Sequence, residues 1–206
     1  MNYLSELQSY RDREIEVYKN LNLNDVNLIM NVLEKARKSG KHIFICGNGG
    51  SASTASHFVG DFNKEVNLGL LKNEKCSHNK TKKTEASYAI PLYNLECLSD
   101  NISSLMAISN DESYAEIFRF PLSVKMKEGD VVIGISGSGN SINVVNALQY
   151  AKDNKGIAIA FVGFDGGRIK ELSDYCIHVE IDDMQISEDL HMIISHMIMS
   201  VLKNHK

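Results

Sequence analysis

The chain has 206 residues, 43% hydrophobic and 23% charged, with a net charge of −4 and a pI near 6.0. This is the composition of an ordinary water-soluble globular protein with enough apolar material for a sizeable core. The mild acidity excludes nucleic acid or an anionic membrane surface as the main partner, and no apolar run is long enough for a transmembrane helix.

In chain order, residues 3–20 and 25–39 read as two helices, each with a helical-period apolar stripe, the second capped by Asn24 or Asp25 and stopped by Gly40. A buried strand follows at 42–46, then a helix from about Ser51 to Asn63. Residues 71–84 carry five lysines and almost no apolar side chains, the pattern of a solvated loop insert. A short strand is expected at 87–92, helices at 101–108 and 113–126, a strand at 131–135 and a helix at 141–152. Residues 157–162 form another apolar strand, Gly166-Gly167 opens a short helix, 174–179 is the last strand, and 186–203 is an apolar-rich helix. Strands alternating with helices predict an α/β fold with a doubly wound parallel sheet. With no internal linker and two prolines, residues 1–206 read as a single domain. The helical pair within residues 1–40 precedes the first strand, cannot serve as crossovers, and is expected to cover a partner subunit. The N-terminus lacks the basic and apolar regions of a secretory signal, and the four cysteines show no CxxC spacing, so reduced thiols in the cytoplasm are expected.

The chemistry starts where strands end. Gly47-Asn48-Gly49-Gly50-Ser51 follows the first strand, and Ser136-Gly137-Ser138-Gly139-Asn140-Ser141 follows the strand at 131–135. Each turn opens a helix, where backbone N–H groups and the helix dipole favour an anion. The short hydroxyls of Ser51, Ser136, Ser138 and Ser141 can donate to phosphate oxygens without forcing the backbone away. Neither turn ends in the Gly-Lys-Ser/Thr of an ATP-binding loop, and no acidic residue follows at the distance a dinucleotide ribose needs. One phosphorylated ligand at the carboxyl ends of the strands is the expectation.

Other candidates are ionisable. His57 and Asp61 lie four apart and share a helix face. Glu188, Asp189, His191 and His196 interrupt the apolar C-terminal helix, where such groups need partners or a site to face. Glu188 and His196 are separated by about 12 Å of helix rise and reach one metal only by leaning together. His191 is either a supporting group behind the site or part of a subunit contact. Asn110-Asp111, between two helical patterns, suits sugar hydroxyls or a helix N-cap.

These blocks, with Gly163-Phe164-Asp165-Gly166-Gly167, resemble the sugar isomerase (SIS) domain in register over roughly residues 1–204, and within it the phosphoheptose isomerase branch. The lysine-rich insert is foreign to compact members. The resemblance implies a flavodoxin-like three-layer sandwich around a five-stranded parallel sheet, and a homotetramer with sites between subunits. It implies sugar-phosphate contacts from Asn48, Gly49, Gly50, Ser51, Asp61, Asn110, Asp111, Ser136, Gly137, Ser138, Ser141 and Glu188. It places catalytic groups at Asp61, Glu188 and His196, and zinc or another divalent cation at His57, Asp61, Glu188 and His196. Asp61 stands where the best-known members carry glutamate, and Glu188 where they carry glutamine. Both therefore stay open as the general base, and the added carboxylate favours a cation.

The implied reaction converts sedoheptulose 7-phosphate to D-glycero-D-manno-heptose 7-phosphate through an enediol, for nucleotide-activated heptose in lipopolysaccharide, capsule or S-layer glycan. The rival expectations are an isomerase of another sugar phosphate, or a non-catalytic SIS protein that serves as a regulatory scaffold. The retained acid–base set argues against the scaffold.

Overall fold

The computed structural model describes residues 1–77 and 90–204. Helices α1 (Leu4–Lys19) and α2 (Leu23–Lys38) precede β1 (Ile43–Gly47), which runs into α3 (Gly49–Asp61). One π-helical segment, Phe62–Val66, joins α3 to α4 (Asn67–Ser77). Then come β2 (Leu95–Cys97), α5 (Ile102–Asp111), a 3₁₀ turn at Tyr114–Glu116, α6 (Arg119–Lys125), β3 (Val131–Ser136) and α7 (Ile142–Asp153). The chain ends with β4 (Ile157–Val162), α8 (Gly167–Leu172), β5 (Tyr175–His178) and α9 (Met184–Asn204). Among the described residues no helix is long and apolar enough to cross a membrane.

The strands form one all-parallel five-stranded sheet in the order β2-β1-β3-β4-β5, as the flavodoxin-like expectation requires. Side chains alternate across it, because successive strand residues point to opposite faces. Ile43 and Ile45 join Ile29, Leu33, Phe58, Leu190 and Ile194 in one core layer. Phe44 and Cys46 join Leu122, Val144, Leu148 and Ile169 in the other. Every residue of β1 and β3 is buried, the signature of parallel strands covered on both faces. The strand order reverses between β1 and β3, where Gly47 registers with Ile135, so a crevice opens at their carboxyl ends.

Several local expectations need correction. Asn22, not Asn24 or Asp25, caps α2, its side chain accepting from Asn24 N–H at 3.0 Å. The first part of the lysine-rich segment is helical to Ser77. Leu, Lys and Glu are good helix formers, so low apolar content marked solvation rather than irregular backbone; the remainder, 78–84, lies outside the described residues. The strand expected at 87–92 forms instead at Leu95–Cys97. Residues 87–89 lie outside the description, and Pro91 lacks the N–H a ladder needs. The helix expected over 113–126 is broken into the 3₁₀ turn and α6, because Pro121 has no N–H to bond back to the preceding turn. Asn110 and Asp111 form the last turn of α5 rather than an N-cap.

The π-helical segment has a clear role. Asn63 Nδ2 donates to Leu95 O at 3.0 Å and its Oδ1 accepts from Leu95 N–H at 3.3 Å. Asn67 makes the same two-way bond with the Tyr93 backbone, at 3.0 and 2.8 Å. Two helix amides thus supply the hydrogen bonds that a further strand would have given this edge.

Candidate functional site

Gly47 ends β1, and any Cβ there would lie 2.8 Å from the Ser51 backbone. Gly49 takes φ +54°, which only glycine adopts cheaply. The turn between them places Asn48 and Gly49 on the wall of a cavity of about 570 Å³. Ser99, Leu105, Met106, Asn110, Tyr114 and Phe118 complete much of that wall. Ser99 Oγ donates to Gly47 O at 2.9 Å, pinning the turn from the β2 side. Gly50 lies under the Glu188 carboxylate: a Cβ there would be 2.2 Å from Oε2. Glu188 therefore sits at the positive end of α3, a favourable place for a negative charge.

The second turn is braced from below. Ser136 Oγ and Ser141 Oγ lie 3.1 Å apart, and Ser136 is buried at the end of β3. Gly139 takes φ +65° against the carbonyl of Gly166, leaving no room for a side chain. Asn140 links Ser138 O (2.9 Å) to the Arg168 backbone N–H (3.2 Å), so the Gly166-Gly167 turn buttresses this loop. Ser138 and Asn140 line a separate hollow of about 550 Å³ with Asp165, Glu180 and Asp182.

The ionisable groups converge farther along α3. His57 Nε2 meets His196 Nε2 at 2.8 Å, and lies 3.3 Å from Asp61 Oδ2; His196 Nε2 is 3.9 Å from the same oxygen. The three ligand atoms lie within 4.8 Å of one another. One of the two imidazole nitrogens donates to the other, the direction set by their tautomers, and both rings aim that nitrogen beside the Asp61 carboxylate. Nitrogen, nitrogen and carboxylate oxygen form a donor set that suits zinc or a similar divalent ion. Both histidines are half exposed, so exchange with solvent is open. Glu188 is not part of this group: it leans toward Gly50 instead.

Residues 105–201 match the SIS domain family. The phosphoheptose isomerase of Helicobacter pylori is 34% identical over 180 residues, covering 87% of this chain and 81% of that protein. The phosphoheptose isomerase of Clostridium acetobutylicum is 32% identical over 181 residues, covering 88% and 82%. This chain belongs to the phosphoheptose isomerase family. Its fold also superposes on phosphoheptose isomerase GmhA from Neisseria gonorrhoeae with a TM-score of 0.81 and 23% identity, over 98% of both chains.

Within this phosphoheptose isomerase fold, Asn48, Gly49 and Asn110 reach the cavity at the end of β1 directly. Asp111 accepts from Asn110 Nδ2 at 2.8 Å and so orients it. Ser51 is buried in the first turn of α3. Ser136, Gly137, Ser138 and Ser141 form the neighbouring loop, and His57, Asp61 and His196 the converged trio. About 12 Å of helix rise separates Gly49 from His57. His191 is fully buried against Phe161, which excludes the subunit-contact expectation. Neither of its ring nitrogens has a hydrogen-bond partner, and burial lowers its pKa to about 4. The nearby Val162 backbone pulls that value upward without reaching hydrogen-bond geometry, and His178 adds to the lowering. Three residues at the site escaped sequence reasoning: Ser99 and Tyr114 on the cavity wall, and Asn143, whose amide is hydrogen-bonded to that of Asn48. The only available signal was that Asn143 stands two positions after Ser141, in the first turn of a helix.

Proposed function

We propose that this protein isomerises sedoheptulose 7-phosphate to D-glycero-D-manno-heptose 7-phosphate in the cytoplasm, acting as one SIS domain. The observation that carries the reading is the helix α3, which begins at the Asn48-Gly49-Gly50 turn and bears His57 and Asp61 against His196. One helix thereby joins an anion-binding end to an acid–base cluster. Relatives named phosphoheptose isomerase across most of their length support the same substrate. A purely regulatory scaffold has no use for two converged imidazoles and a carboxylate.

In this reading the Gly49-Gly50-Ser51 turn and the Ser136-to-Ser141 loop grip the non-reacting phosphate, and Asn110 and Asp111 meet sugar hydroxyls. Binding energy from those contacts positions the reacting carbons. A carboxylate, Asp61 or Glu188, removes a proton from C1 of the ketose and delivers one to C2; His196 moves protons at the oxygens. Zinc or another divalent cation held by His57, Asp61 and His196 would act as a Lewis acid on those oxygens. The separation of turn and trio along α3 favours a site completed by a second copy in a homotetramer. The bare apolar face of α1 (Tyr3, Leu4, Leu7, Ile15 and Tyr18, all exposed) supplies a surface for that assembly.

The test is incubation with sedoheptulose 7-phosphate in D₂O, followed by NMR. An aldoheptose 7-phosphate carrying deuterium at C2 is expected. A folded, metal-supplied protein that gives neither product nor exchange overturns the reading.

A further inference from the structure

Asn48, in the first anion turn, and Asn143, in the first turn of α7, exchange hydrogen bonds through both amides. Asn48 Nδ2 donates to Asn143 Oδ1 and Asn143 Nδ2 donates to Asn48 Oδ1, each at 2.9 Å. Such a pair reads the same with both amides reversed. Here Val144 N–H removes the ambiguity: it lies 2.9 Å from Asn143 Oδ1, and a backbone N–H can only donate. The atom it meets is therefore oxygen, which fixes Asn143 and, through it, Asn48. Tyr114 then donates its hydroxyl to Asn48 Oδ1 at 2.8 Å.

The inventory at Asn48 is now nearly closed. Its oxygen accepts from two donors and one amide hydrogen belongs to Asn143. Its second N–H is unclaimed among the described residues, on a side chain that lines the cavity at the end of β1. Asn143 is fully buried, so its amide cannot turn to water instead. We propose that Asn143 and Tyr114 are positioning residues that present Asn48 as a hydrogen-bond donor to an oxygen of the bound sugar phosphate. The same amide pair ties the first anion turn to the helix that follows the second, holding the two loops in register. The inference rests on the cavity being the sugar-phosphate site.

Steady-state turnover of sedoheptulose 7-phosphate by Tyr114→Phe, Asn143→Asp, Asn48→Ala and the Tyr114→Phe/Asn48→Ala double variant tests it. Tyr114→Phe loses one hydrogen bond, so KM should rise about 3- to 10-fold. Because the contact serves ground and transition state alike, kcat should stay within about twofold. Asp at 143 still accepts from Val144 N–H but offers no donor to Asn48, and KM should rise at least about 10-fold. In the Asn48→Ala background, Tyr114→Phe should add nothing. An equal loss of kcat/KM from Tyr114→Phe in both backgrounds, or no loss in either, overturns the proposal. If the unaltered protein does not turn over this sugar, the functional reading fails by itself. The amide pair is then read in ¹⁵N–¹H side-chain resonances of the free protein. A shifted, faster-exchanging Asn48 amide in Tyr114→Phe supports the positioning role, and an unchanged one overturns it.

Discussion

His57 Nε2 and His196 Nε2 face each other at 2.8 Å, though 139 residues separate them in sequence, and both look onto Asp61 Oδ2. Two consequences follow for metal and base. His57→Ala and His196→Ala should each weaken zinc binding by more than the roughly 10- to 100-fold typical of losing an outer partner, measured against a chromophoric chelator. Asp61→Asn should lose both metal affinity and turnover. Glu188→Gln, at Gly50 and outside the trio, should keep the metal. If both Asp61→Asn and Glu188→Gln retain turnover, neither carboxylate is the base.

Gly47 and Gly50 are three residues apart and should fail differently. A methyl at Gly47 strikes the Ser51 backbone at 2.8 Å, which cannot yield, so Gly47→Ala should cost about 1–3 kcal/mol. A methyl at Gly50 meets first the end of the Glu188 side chain. That carboxylate can swing aside, and the helix gains up to about 1 kcal/mol from losing a glycine. Gly50→Ala should therefore hold its denaturation midpoint while kcat/KM falls. An active Gly50→Ala enzyme would show that the position of Glu188 is unimportant.

His191 makes stability depend on pH. Its folded pKa is lowered to about 4 by burial, against 6.5 for the unfolded chain. Above 6.5 neither state binds the proton and there is no effect. As pH falls through that value, the unfolded chain takes up a proton that the fold refuses, and stability drops until about pH 4. The full window is worth on the order of 3 kcal/mol. Urea unfolding of His191→Phe between pH 7 and 4 should show a shallower acid slope than the parent protein. Parallel slopes would assign the acid sensitivity elsewhere.

Helix α1 fully buries no side chain; Tyr10 and Val17 rest part-buried on the core, and Tyr10 to Asp189 (2.6 Å) and Arg13 to Asp183 (2.8 Å) tie it to α9 and the segment before it. Removing residues 1–20 should leave the sheet core folded by circular dichroism while light scattering reports a smaller assembly. An unchanged mass would remove α1 from the interface.

The sheet was legible because β1, β3 and β4 are short apolar runs, rich in β-branched residues and set off by glycines; length and those flanks, not period, mark such strands. Strand β2 was misplaced: three residues carry too little pattern, and its register comes from Asn63 and Asn67 far away in sequence. At the site, His57 and Asp61 were readable as an i, i+4 pair, and the structure brings them to 3.3 Å. Glu188 was readable as a polar intrusion in an apolar helix, but not its lean toward Gly50, which depends on how α9 crosses α3. Asn143 offered only its place two positions after Ser141, since a buried asparagine differs from a surface one only by the partner that satisfies it.

The asparagine hooks on β2 also bear on which changes this chain can tolerate. Asn63 and Asn67 lock the backbone of Leu95 and Tyr93 from the helix side, through bonds that involve no residue between Ser77 and Tyr93. Connection length and edge-strand alignment are thereby uncoupled. A change in the length or charge of that stretch should therefore leave β2 aligned with β1 and the crevice beside it unchanged in shape.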